Sequence, residues 1–88
     1  MFYTYVLKCI GDKGNKLYIG STSDLRKRVQ DHKSKSVFTT KKFKSIELIY
    51  YEASNNKTDS ILREKQLKTG FGRGYLKRRL KNYFLSRA

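Results

Sequence analysis

The sequence predicts an α+β domain, a small three-stranded antiparallel sheet flanked by helices in the order ββαβαα. Three observations carry this expectation. Runs of β-branched and aromatic residues at Phe2 to Ile10, Lys16 to Ser21 and Ile46 to Tyr51 read as strands. Between the first two lies Gly11-Asp12-Lys13-Gly14-Asn15, the composition of a hairpin turn, which makes those strands antiparallel neighbours. The segments after the second and third strands change to helical spacing and open on capping residues.

The first strand is apolar or aromatic on both faces, with Tyr3, Tyr5, Leu7 and Cys9 on one side and Phe2, Thr4, Val6 and Ile10 on the other, as expected of a covered central strand. Thr22, Ser23 and Asp24 are N-cap candidates for a helix running to about Lys35, whose apolar residues Leu25 and Val29 stand four apart. Arg28 and His32 repeat that spacing along its edge. Thr58 and Asp59 open a second helix carrying Ile61, Leu62, Glu64 and Leu67, with Gly70 as its C-cap. Gly72-Arg73-Gly74 reads as a short hinge before a third helix from Tyr75 to about Leu85, basic on one side and apolar on the other.

Eighty-eight residues make one domain, residues 1–88, which buries roughly 60–65% of the surface its unfolded chain would expose. Twenty-one Lys and Arg against seven Asp and Glu give a net charge of +14, a field that attracts polyanions. Seven tyrosines and five phenylalanines argue against disorder. The single Cys9 excludes an internal disulfide and fits a reducing compartment, and no apolar run approaches a membrane span, so a cytoplasmic protein is expected. Lys41, Lys42 and Lys44 in the loop and Lys77, Arg78 and Lys81 on the last helix are the expected phosphate contacts, far from neutralising acids.

Of the seven acidic residues, only Glu64 is expected on an apolar helical stripe, where an unpaired carboxylate costs several kcal/mol. Taken singly, a strand tyrosine is ordinary packing, an exposed helix arginine is solvated, and a helical glutamate pairs with a lysine one turn away. Their combination is what points to chemistry. Tyr3-Thr4-Tyr5 and Tyr18-Ile19-Gly20, followed by the helix bearing Arg28 and His32 and by Arg63-Glu64-Lys65-Gln66-Leu67-Lys68, resemble the GIY-YIG nuclease superfamily, which includes phage homing endonucleases and the incision subunit of bacterial nucleotide-excision repair. The second triad matches letter for letter. The first retains only its last tyrosine and lacks the glycine, and Asn82 is the candidate for the family's late asparagine.

The resemblance implies a metal-dependent endonuclease, DNA being the expected substrate and repair or recombination the expected setting. Tyr5, Tyr18, Arg28, His32 and Glu64 would form its site. Phosphodiester hydrolysis needs an activated water and compensation of charge on the phosphate oxygens. Glu64 would hold one Mg²⁺ or Mn²⁺, Arg28 would clamp the phosphate, His32 would orient or deprotonate a tyrosine, and one tyrosine, Tyr18 preferred, would serve as base. Gly20 would allow close backbone approach beside Tyr18. A partner protein would supply target choice. The competing expectations are a nucleic-acid-binding module that keeps the fold without cleavage and a peripheral membrane protein using its basic amphipathic last helix.

Overall fold

The computed structural model describes residues 1–86. Strands β1 (Phe2–Gly11), β2 (Gly14–Thr22) and β3 (Ser45–Ser54) form an antiparallel sheet in the order β2-β1-β3. Helix α1 (Leu25–Lys33) follows β2, while α2 (Lys57–Leu67), α3 (Gly70–Arg79) and α4 (Lys81–Ser86) follow β3. The α+β expectation holds.

Because β1 is central, each of its faces is covered. Tyr5, Leu7 and Cys9 pack with Tyr18, Leu25, Val29, Phe43 and Leu48 beneath α1 and the loop after it. Val6 and Ile19 pack against Leu67 of α2 and Leu76 of α3 on the opposite face. The register sets Tyr5 opposite Gly20 and Leu7 opposite Tyr18, so both tyrosines and Gly20 share the α1 face.

Local chemistry fixes each helix end. Asp24 is the N-cap of α1, its carboxylate accepting from the Lys27 N–H. The helix stops at Lys33, two residues before the expected end, in a Schellman arrangement: Ser36 N–H bonds Asp31 C=O, and Lys35 N–H bonds His32 C=O. Lys35 adopts the left-handed conformation at φ 64°, turning the chain back toward the sheet. The N-cap of α2 is Asn56, not Thr58 or Asp59, because only the Asn56 side chain lies outside the helix facing the free N–H groups of those two residues.

The expected C-cap at Gly70 and hinge at Gly72 to Gly74 are corrected. Gly70 begins α3, Thr69 is its N-cap, and both other glycines are helical. Gly72 is required for contact rather than for flexibility, since a Cβ there would stand 2.2 Å from the Leu67 carbonyl oxygen. The single last helix is instead two, broken at Leu80.

Candidate functional site

Tyr5 reaches from the central strand across Gly20 toward the open edge of β2. A Cβ at residue 20 would lie 2.6 Å from the Tyr5 hydroxyl oxygen, so the glycine makes room for the Tyr5 ring and not, as expected, for an approach beside Tyr18. The hydroxyl sits 2.9 Å from His32 Nε2, and His32 Nδ1 sits 2.8 Å from Thr40 Oγ1. All three side chains are fully buried. Arg28 has only donors to offer the Tyr5 oxygen, which leaves the Tyr5 proton for His32 Nε2 and places the ring proton on Nδ1, donating to Thr40. Burial, with Arg28 nearby, pushes the His32 pKa down and keeps the ring neutral. Burial likewise raises the Tyr5 phenol to about 12, against the opposing pull of Arg28.

Arg28 joins the two tyrosines. Its guanidinium interacts with both phenol oxygens, Tyr5 more strongly, and this raises its own pKa. The Tyr5 and Tyr18 rings lie 6.3 Å apart, with Tyr18 edge-on to His32 at 4.8 Å between centroids. Tyr18 is half-buried and lines an open cleft of about 610 Å³ along the β2 edge, which also exposes Lys16, Thr39, Lys68 and Arg73.

Glu64 comes to this edge from α2. Thr4 Oγ1 donates to the Ser60 carbonyl at 2.9 Å and contacts Ser60 Oγ at 3.1 Å, a buried pin between β1 and α2. Glu64 is one turn beyond Ser60, and its charge is felt at the Tyr5 phenol. It is half-buried, its side chain 21% exposed, and it bonds Lys68 Nζ at 2.7 Å. Nor is it singular among the acids. Glu52, 28% exposed, takes a two-pronged bond from Arg63 and a 2.8 Å bond from Tyr50, while Arg63 also lies over the Tyr75 ring.

The structure therefore brings Tyr5, Tyr18, Arg28, His32 and Glu64 together and adds Thr40, which the sequence reading missed. Thr40 lies in a lysine-rich loop where no periodicity marks it. The loop lysines are exposed. Lys44 is not far from acid, forming a 2.6 Å pair with Asp12 of the β1–β2 turn, while Lys41 and Lys42 stand over Phe38 and Phe43. Lys77 and Lys81 border an apolar bay beside α3 and α4; Arg78 is exposed on α3. Asn82 is exposed on α4 and lines neither that bay nor the Tyr18 cleft. The cations that do reach the cleft, Lys16, Lys68 and Arg73, were not singled out by sequence.

An α+β fold with paired tyrosines, an arginine and a carboxylate at one sheet edge defines a class of catalytic domain. The chain belongs to the GIY-YIG family: a match to the GIY-YIG catalytic domain spans residues 1–79, and the family points to a nuclease and to nucleic acid as its partner. Similar proteins include a UPF0213 protein of Pediococcus pentosaceus, 40% identical over 68 residues covering 76% of this chain and 68% of the relative. A UPF0213 protein of Staphylococcus haemolyticus is 34% identical, covering 76% and 79% respectively. UPF0213 protein YazA of Bacillus subtilis is 37% identical, covering 75% and 65%. No solved structure matches the chain significantly. Among the described residues, no helix is long and apolar enough to cross a membrane.

Proposed function

We propose that this protein is a divalent-metal-dependent endonuclease that hydrolyses phosphodiester bonds in nucleic acid, DNA first among candidates and repair or recombination its setting. The observation that carries the reading is the convergence of Arg28 on both tyrosines at an edge that Glu64 also approaches. Arg28 binds the scissile phosphate, offering a fork of donors that never loses its charge. Tyr18 lines the cleft and so meets the attacking water; acting as the phenolate beside Arg28, it takes the water's proton and becomes the neutral phenol. Tyr5, sealed from the cleft, gives its proton in a hydrogen bond to His32 and presents its oxygen to Arg28. It thereby aims the guanidinium, with Thr40 holding His32 in the tautomer this needs.

No group of three or more His, Cys, Asp or Glu exists among the described residues, so a cage made wholly of protein ligands does not fit. A lone carboxylate fits Mg²⁺ or Mn²⁺, which one or two protein carboxylates suffice to hold; Glu64 would hold it here once released from Lys68. Such an ion, when bound, supplies charge neutralisation at the phosphate and leaving oxygens.

The test is a panel of labelled single-stranded, duplex, flap and junction DNA and RNA, incubated with Mg²⁺, Mn²⁺ or chelator. Cleavage should require metal and fall by roughly two to three powers of ten in Arg28→Ala. Binding without cleavage across the panel would make the protein a binding module. Equal cleavage in chelator would remove the metal from the mechanism.

A further inference from the structure

The Tyr18 cleft does not end at Arg73. It shares Leu17, Arg73 and Leu76 with the bay beside α3 and α4, of about 490 Å³, whose remaining walls are Lys77, Lys81, Phe84 and Leu85. The bay has an apolar floor and an all-cationic rim. No acidic residue lines it, and none occurs anywhere after Glu64. The break at Leu80 separates Lys77 from Lys81, placing one cation on each helix around the Phe84 ring. Leu85 is 65% exposed and Phe84 half-buried.

We infer that this bay is a subsite for an unpaired nucleobase of the strand that crosses the β2 edge, the base resting on Phe84 and Leu85 while Arg73, Lys77 and Lys81 hold the flanking phosphates. The inference rests on the proposed function and extends it to a substrate class, nucleic acid that is single-stranded next to the cut. Charge complementarity selects a polyanion, and continuity with the cleft selects the same polyanion whose phosphate faces Arg28. An apolar floor within that path has no use for a sugar-phosphate backbone, whose surface is polar. It suits a base face, and bases stacked and paired in a duplex cannot enter it. Aromatic support with a cationic track is the general solution for single strands.

The test compares a fluorescent twelve-nucleotide oligothymidylate with an abasic twelve-mer of equal charge, by anisotropy in chelator so that nothing is cut. The base-bearing strand should bind about tenfold tighter. Phe84→Ala and Leu85→Ser should each shrink that ratio and leave the abasic affinity unchanged. Leu85 is too exposed for its replacement to threaten folding, so it decides the matter if Phe84→Ala does not fold. A ratio near one, whether both strands bind or neither does, overturns the subsite, as does a ratio retained in Leu85→Ser. An acidic amphipathic peptide that occupies the bay in preference to the oligonucleotide, read by loss of its binding in Leu85→Ser alone, also overturns it. Hydrolysis of thymidine 5′-p-nitrophenyl phosphate by the wild type in Mg²⁺ is measured alongside. Its absence counts against the nuclease reading, whereas its presence with no base preference rejects only the subsite.

Discussion

Gly20→Ala adds one methyl group at the most crowded point of the site. The new Cβ would stand 2.6 Å from the Tyr5 hydroxyl oxygen, 2.7 Å from Cζ and 3.1 Å from Cε1. Ordinary contact begins near 3.5 Å, so the ring must retreat by about 0.9 Å. Little room exists for that movement, because Tyr5 is 1% exposed on the central strand and packs with Leu7, Cys9 and the residues beneath α1. Overpacking of this kind costs about 1–3 kcal/mol. The same retreat exceeds what the 2.9 Å bond to His32 tolerates, and with it Arg28 loses its anchor. A misplacement near 1 Å costs about a hundredfold in rate. The measurements are thermal unfolding, affinity for an uncut strand in chelator, and turnover of a labelled substrate in Mg²⁺. The expected outcome is a lower melting temperature, affinity within about twofold, and turnover down by about a hundredfold. A cycle with Tyr5→Phe isolates the cause. The phenyl ring keeps Cζ and Cε1, so the stability cost should persist, while the two losses of turnover should not multiply. Wild-type turnover in Gly20→Ala, or losses that multiply fully in the double variant, would refute the argument.

Thr40→Val keeps the shape but strands the His32 Nδ1–H in a buried site, which should cost about 1–3 kcal/mol by denaturant unfolding and reduce turnover. Thr40→Ser should restore both, and a Val variant as active as the parent would dismiss the relay. Tyr5 titrates at about 12 in the fold against about 10 unfolded, so the folded state favours the neutral phenol. Its contribution is fully present below pH 10 and is lost as pH rises to 12, a swing of about 2–3 kcal/mol. Tyr5→Phe should therefore lose less stability over that window than the wild type, and equal losses in chemical denaturation series would contradict the burial argument. Affinity for duplex DNA should fall with salt at a slope of about 0.9 per phosphate contacted. Lys16→Ala with Arg73→Ala should flatten that slope, and so should the triple replacement of Lys41, Lys42 and Lys44. A slope unchanged by the loop replacement would restrict binding to the cleft side.

Strands and the first helix were legible because burial repeats with a fixed period there. Leu25 and Val29 reveal α1, and the alternating faces of β1 reveal a covered strand. What failed to show was tertiary. Glycines at 70, 72 and 74 read as punctuation by local propensity, yet α3 runs through them because Gly72 lets its first turn lie on the Leu67 carbonyl. Glu64 was expected on an apolar stripe, yet it bonds Lys68 in the one-turn pairing that helical spacing also offered, while the more elaborate pairing of Glu52 with Arg63 joins β3 to α2 across a separation no periodicity records. Thr40 was invisible for the same reason. Its burial follows from the Schellman turn after α1, which returns an otherwise cationic loop to the ring of His32.

Placement rather than residue type divides the labour of the two tyrosines. Both lie on one face and both interact with Arg28, so neither charge nor sequence distinguishes them. Tyr5 has its proton committed to His32 and its oxygen turned to Arg28, and its shift to about 12 makes its anion roughly a hundredfold scarcer than that of an ordinary phenol. A group so placed is poor at taking protons and good at holding a neighbour still. Tyr18 instead meets His32 ring edge to ring and opens on the cleft with Lys16, Lys68 and Arg73 around it. Under the proposed mechanism the water must meet a phenol in the cleft, and Tyr5 lies sealed behind Gly20. The glycine of the second triad thus serves the tyrosine of the first, and by seating it there leaves the other tyrosine as the one that substrate can reach.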